Sequence, residues 1–120
     1  MEAFPNFDIE AAAQRINNAN RKADEMIAAR RAAAREEARK MAAELRDRDP
    51  SIRAIWGFGS AFEAYRPFRI DSDIDLALEG GDIVRLFSTT EGSAFKVDLV
   101  DISGCEDEFA RGIRERGTSL

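Results

Sequence analysis

A stretch of the chain from residue 8 to about residue 48 contains neither glycine nor proline and is rich in Ala, Arg, Glu, Lys, Met and Leu. Because these residue types favour the helix most strongly, the stretch predicts a long N-terminal α-helix. Asp8 is placed to cap its first turn, and Pro50 to stop it. The sequence INNAN at residues 16–20 is its weakest point and leaves open whether one or two helices form. The apolar stripe along the helix is largely alanine, so it buries too little area to hold a core alone.

The remaining features predict one domain. At 120 residues the chain is long enough for a single core. We expect residues 1–48 to form the helical segment, its C-terminal part packed on the core, and residues 49–120 to form that core. No apolar run approaches the roughly 20 residues that span a bilayer, and the acidic N-terminus does not look like a signal peptide. With Cys105 as the single cysteine, we expect a cytoplasmic protein without a disulfide.

Charge and composition exclude several functional classes. The net charge is −5, and the acidic excess lies in residues 50–120. A nucleic-acid binder normally presents a basic face, so we expect no nucleic-acid partner. The chain has no histidine. This excludes Ser–His–Asp and Cys–His catalysis and removes the usual zinc ligands.

After Pro50 the pattern changes to short β-type runs at residues 52–59, 72–79 and 94–102, the first two ending at glycines. Asp82 is placed to cap a short helix to about Phe87. Ser103 and Glu106 have the spacing of a capping box that would open a last helix, to about Arg116. The predicted order is helix, strand, loop, strand, helix, strand, helix, which indicates an α/β (α+β) fold.

Three acidic residues are placed to meet in such a sheet. In the sequence DSDIDLAL, Asp73 and Asp75 alternate with aliphatic residues and so share one strand face. Asp98 lies in the middle of the next predicted strand. Three carboxylates without histidine or cysteine suit Mg²⁺ or Mn²⁺, and two ions would offset the repulsion between the acids. Gly59 and Ser60, at the end of the first strand, could offer N–H groups and a hydroxyl to phosphates.

Simpler interpretations of the same residues remain open. Asp98 could lie on a solvated strand face, and the same interpretation applies, with less weight, to Asp73 and Asp75. Gly-Ser at a strand end is most often only a turn, which is the alternative for Ser60.

The sequences GFGS, DSDIDLAL and FKVDLVDI, in this order, resemble the nucleotidyltransferase fold of the DNA polymerase beta superfamily. They are most similar to the minimal nucleotidyltransferases, which are often encoded beside a helical HEPN protein. The resemblance covers about residues 50–120 and implies a mixed β-sheet with helices on one side, preceded here by the long helix. It assigns Gly59 and Ser60 to the nucleotide, Asp73 and Asp75 to the metals, and Asp98 to completing the metal site and activating the acceptor hydroxyl. Many members continue Ala-Arg-Gly after Gly-Ser, whereas here the chain reads Ala61-Phe62-Glu63, so that the arginine is missing and an acid follows instead.

The resemblance implies a Mg²⁺-dependent nucleotidyltransferase that moves a nucleoside monophosphate, AMP from ATP, to a hydroxyl. Because the chain ends at Leu120, we expect a second chain to hold the acceptor. By resemblance the acceptor is a tyrosine of a HEPN toxin, which would make the protein an antitoxin-type adenylyltransferase. The other partner considered is a second copy of the chain, in a homodimer through the N-terminal helix.

One alternative function is an inactive module of this fold that binds a partner protein, which Glu63 favours. The other is a small-molecule, aminoglycoside-type nucleotidyltransferase, which the short length disfavours. Arg66 or Arg69 could replace the missing positive charge.

Overall fold

The structure is a computed structural model that describes residues 8–120. It combines a long N-terminal helix with a four-stranded mixed sheet and two short helices. In chain order the elements are α1 (Ile9–Arg48), β1 (Ala54–Phe58), a 3₁₀ turn (Gly59–Ala61), β2 (Ile74–Glu79), α2 (Ile83–Thr90), β3 (Val97–Asp101), α3 (Glu108–Arg116) and β4 (Thr118–Ser119).

The N-terminal helix is continuous, so the sequence INNAN does not divide it. The Asp8 carboxylate accepts a hydrogen bond from the Ala11 N–H at 3.1 Å, which confirms the predicted cap. Residues 1–7, the first part of the predicted helical segment, lie outside the described part of the chain. They include most of the N-terminal sequence that was compared with a signal peptide. None of the helices between Asp8 and Leu120 is both long and apolar enough to cross a membrane.

The sheet has the order β3-β2-β1-β4. β1 runs antiparallel to both of its neighbours, and β2 runs parallel to β3. The three longer strands lie within the predicted runs and are shorter at their ends. β4 was not predicted, because two residues that add one short edge to β1 carry no pattern of their own.

Apolar side chains cover both faces of the sheet. On one face, Ile55, Leu76 and Leu99 pack with α1 and α2. On the other, Ala77 and Val100 pack with Ala110 and Ile113 of α3, and Trp56 and Phe58 border this second cluster. The expectation that the helices lie on one side of the sheet is therefore wrong. Trp56, Phe58 and Val100 alternate along their strands with the buried residues of the first face, so they project from the opposite face. These apolar side chains pack there with residues of α3.

The C-terminal half of α1 forms most of its contact with the first core, and Ile27 packs at the margin. The buried residues of α1 are Ala34, Ala38, Met41, Ala42 and Leu45. At the end of the helix, the Asp49 carboxylate accepts hydrogen bonds from the N–H groups of Ser51, at 3.0 Å, and Asp82, at 2.7 Å. Asp82 itself caps α2 as predicted, by accepting from the Val84 N–H at 3.2 Å. The two helices are thus joined at one corner of the sheet.

The predicted capping box of the last helix is wrong. α3 begins at Glu108, where the Asp107 carboxylate accepts from the Ala110 N–H at 2.8 Å. Ser103 instead accepts a hydrogen bond from the Gly80 N–H at 2.8 Å and so ties the end of β3 to the turn after β2. Asp107 is also a good capping residue, and the tertiary contact of Ser103 decides between the two.

Candidate functional site

Two of the predicted acids stand side by side. Asp75 in β2 and Asp98 in β3 are direct partners in the parallel register, and Phe58, the last residue of β1, lies opposite Asp75. Partners in register project from the same face of a sheet. This face is the one that α3 covers farther along the strands, at Ala77 and Val100. The structure therefore places two of the three predicted carboxylates, Asp75 and Asp98, next to each other.

The surroundings of Asp75 favour its protonated form. Burial, and after it repulsion by the Asp98 and Asp73 carboxylates, raise its pKa to about 6. The Arg66 guanidinium acts in the opposite direction. The part of this shift that comes from Asp98 and Asp73 reflects crowded negative charge, which a cation would relieve.

The Gly-Ser turn lies directly against this acid. β1 runs straight into the 3₁₀ turn, where Gly59 has a φ of +75°. A Cβ at this position would collide with the Asp75 Oδ2 atom. The backbone conformation therefore favours glycine at residue 59, and any other residue would also displace the Asp75 carboxylate. The Gly-Ser turn and Asp75 therefore lie next to each other.

Asp73 lies just before the start of β2. Ile74 pairs with Val97, so residues 73 and 96 adjoin just outside the strands. There the Asp73 carboxylate lies 3.6 Å from the Lys96 Nζ atom in a largely exposed ion pair. Within residues 8–120, no group of three or more Asp, Glu, Cys or His side chains is arranged to hold a metal ion.

Glu63 forms the most extensive polar network of the site. Its side chain is only 8% exposed. Its Oε2 atom accepts a hydrogen bond from the Gly59 N–H at 3.0 Å and pairs with the Arg66 Nε atom at 2.9 Å. Its Oε1 atom accepts from the Tyr65 hydroxyl at 2.8 Å. A carboxylate thus occupies an N–H of the turn that was predicted to contact phosphate.

Arginines hold this loop from two sides. From α1, the Arg31 Nη2 atom donates to the Glu63 carbonyl, and the Arg35 Nε atom donates to the Ala61 carbonyl, both at 2.6 Å. From the loop itself, Arg66 balances the Glu63 charge. Its interaction with Tyr65 and the charge of Glu63 raise the pKa of Arg66 above its usual value. The C-terminal half of α1 and the Gly-Ser turn are thereby linked through the loop backbone.

The donor atoms of the site fit a hard divalent cation. Asp75 and Asp98 supply adjacent carboxylate oxygens, which Mg²⁺ and Mn²⁺ prefer. Burial is the main cause of the raised pKa of Asp75, and the charges of the neighbouring acids are the part of the effect that cation binding relieves. Asp73 is the third acid near them, and its exposed ion pair with Lys96 is weak enough to be exchanged for a cation.

Sequence reasoning missed Arg31 and Arg35 as parts of this region. The alternation at residues 94–102 predicts that Lys96 shares a face with Asp98, but its ion pair with Asp73 depends on the register of β2 with β3. Arg31 and Arg35 are four residues apart on one helix, which puts them on one face. No pattern in the sequence showed that this face meets residues 61–63.

Comparison of the chain with models of protein families, with curated proteins and with solved structures found no match in any of the three.

Proposed function

We propose that the protein is a Mg²⁺-dependent nucleotidyltransferase of the minimal nucleotidyltransferase type, with the fold of the DNA polymerase beta superfamily. The observation that carries the proposal is the pairing of Asp75 with Asp98 directly beside the glycine of the Gly59-Ser60 turn. Paired carboxylates next to a strand-end turn suit a reaction on phosphate, where positioning and charge neutralisation supply most of the catalysis.

In the proposed reaction, AMP is transferred from ATP to a hydroxyl. A bond forms between the acceptor oxygen and the α-phosphorus, the bond from that phosphorus to its bridging oxygen breaks, and pyrophosphate leaves. Asp98 orients the acceptor hydroxyl and takes its proton. Asp73 and Asp75 would hold Mg²⁺, which when bound neutralises phosphate charge and aligns the attacking and leaving oxygens. Gly59 and Ser60 contact the phosphates.

The first experiment is calorimetric titration of ATP into the protein with and without Mg²⁺. We expect saturable binding that Mg²⁺ strengthens, and at least a tenfold loss of this strengthening in Asp75→Asn. Asp71→Asn, in the exposed loop before β2, is the matched control and should behave as the wild type. Equal binding with and without Mg²⁺, or an unaffected Asp75→Asn variant, would contradict the proposal.

A non-catalytic binding module is the second candidate, and the Glu63 network favours it. The carboxylate holds the Gly59 N–H that a phosphate would need. Glu63→Gln tests this point, because it removes the charge while keeping the size of the side chain. An increase in ATP affinity of fivefold or more in Glu63→Gln would support a nucleotide at the turn. No ATP binding by either form would favour the module.

The proposed acceptor is a tyrosine of a HEPN-type partner, which is implied by the resemblance of the motifs. The exposed half of α1 is the proposed docking surface for this partner, with a second copy of the chain as the alternative. Ile9 and Ile16 are 73% and 60% exposed there. Since seven residues make about two helical turns, both lie on one side of the helix.

Transfer of label from α-³²P-ATP to the product of a neighbouring gene, lost in Asp98→Asn, would support the protein acceptor. Binding of that product by Ile16→Glu and by Gln14→Glu would test the surface. The first variant should weaken the complex, and the second, on the opposite side of α1, should not. Sedimentation of the chain alone tests the homodimer.

A further inference from the structure

A second candidate site lies on the other side of the loop that holds the Gly-Ser turn. A groove of about 590 Å³ runs between the middle of α1 and residues 64–68. This volume is within the range of small-molecule sites. Its walls include none of the three aspartates discussed above. The groove is therefore a separate feature of the structure.

The groove is basic in an acidic protein. Arg31, Arg35 and Arg66 line it, with Asp24 as the one acidic lining residue among those described. The whole chain has a net charge of −5. Guanidinium groups match phosphate oxygens in charge and geometry. The electrostatic contrast points to an anionic ligand.

The arginines are already held in place without using all their donors. Arg31 uses its Nε and Nη2 atoms on the carbonyls of Ala61 and Glu63, and Arg35 uses its Nε atom on Ala61. A guanidinium has five N–H groups, so these contacts fix both side chains and leave further donors for a ligand. A site organised in advance loses less conformational entropy on binding.

The rest of the groove is apolar or aromatic. Ile27, Pro67 and Phe68 line it together with Tyr65, whose side chain is 67% exposed. The Arg66 Cζ atom lies 5.8 Å from the centre of the Tyr65 ring. An exposed ring beside a guanidinium offers a stacking surface to a planar group. Phosphate donors and a stacking surface together suit a mononucleotide.

We propose that this groove binds a free mononucleotide, with the phosphates on Arg31, Arg35 and Arg66 and the base against Tyr65 and its apolar neighbours. The proposal does not depend on the transfer reaction or on a metal. Asp24 lies within the same walls, where it can accept hydrogen bonds from ribose hydroxyls.

The experiment is titration of ATP in EDTA, with Ala32→Glu and Ala33→Glu as a matched pair. Both alanines are exposed on α1, and only Ala32 lines the groove. Both substitutions add one negative charge at a helix position that glutamate tolerates, so we expect both variants to fold, as checked by circular dichroism. Ala32→Glu should weaken ATP binding at least tenfold, and Ala33→Glu by no more than about twofold.

The proposal would be overturned if the wild type did not bind ATP in EDTA. Equal effects of Ala32→Glu and Ala33→Glu on ATP binding would also overturn it. Binding of inorganic triphosphate as tightly as ATP would overturn the assignment of the base to Tyr65. Asp71→Asn, at an exposed residue outside the groove, should keep the metal-free ATP binding of the wild type. If Ala32→Glu removes ATP binding in Mg²⁺ as well as in EDTA, the groove and the acids form one site, and a separate site is excluded. If the wild type binds ATP in EDTA but Mg²⁺ does not strengthen this binding, the proposed transfer reaction is contradicted and the proposed groove site is retained.

Discussion

At the scale of single residues, the charge of the site comes from the buried Glu63 carboxylate and from the neighbouring Asp75 and Asp98. The alternation of Asp73 and Asp75 and the position of Asp98 were enough to predict that two strands bring acids together. The sequence could not show that Asp73 pairs with Lys96, because this contact depends on the register of β2 with β3. Nor could it show that Glu63 is buried, since its partners are set by the fold of a loop.

Glu63→Ala should lower the free energy of unfolding by about 2 kcal/mol, because a buried carboxylate with three partners is lost and the Gly59 N–H is left without its acceptor. Glu36→Ala is the control, because the ion pair of Glu36 with Arg39 is exposed. We expect this control to change stability by less than about 0.5 kcal/mol. Urea denaturation measures both. Equal effects would mean that the Glu63 network contributes no more than a surface pair.

Asp75 should make stability depend on pH. Its pKa is about 6 in the folded protein and near its usual value of about 4 in the unfolded chain, so the folded state binds more protons between these values. Stability therefore falls as pH rises from about 4 to about 6. Asp75→Asn should remove this fall and stabilise the protein at pH 7 by roughly 1 kcal/mol, after allowance for solvent screening.

Thermal or urea unfolding across this pH range, without divalent cations, measures the effect of Asp75→Asn. Asp71→Asn should keep the wild-type profile. A variant profile parallel to that of the wild type would show that Asp75 is not the group responsible.

At the scale of elements, α1 has two halves with different roles. Helix propensity predicted its extent and Asp8 its start, because both signals are local. The face taken by α3 was not predictable, since the second apolar face of the sheet is formed by isolated residues such as Trp56 and Val100 on separate strands. Local signals also could not separate Ser103 from Asp107 as the cap of α3.

Leu45→Ala and Ile16→Ala should differ strongly although both shorten an aliphatic side chain on α1. Leu45 is fully buried, so its truncation should cost about 3 kcal/mol. Ile16 is exposed, and alanine is the better helix former, so its truncation should cost less than about 0.5 kcal/mol. Chemical denaturation of the two variants gives the comparison. A cost above 1 kcal/mol for Ile16→Ala would mean that this half of the helix is covered in solution.

At the scale of the whole molecule, the helix makes the protein elongated. The Cα radius of gyration is 20.4 Å and the extents are 75 × 31 × 18 Å. A compact chain of this length has a radius of gyration of about 14 Å. Small-angle scattering should give about 20 Å at a concentration where light scattering reports a monomer. A value near 14 Å would show the helix folded back onto the domain.

The contacts of Arg31 and Arg35 with residues 61–63 have a mechanical consequence. A helix of forty residues is a rod about 60 Å long, supported over its C-terminal half by the core. These two arginines attach the rod to the backbone that follows the Gly-Ser turn. A force on the exposed N-terminal end of α1 would therefore be transmitted through these two arginines to the loop beside Asp75.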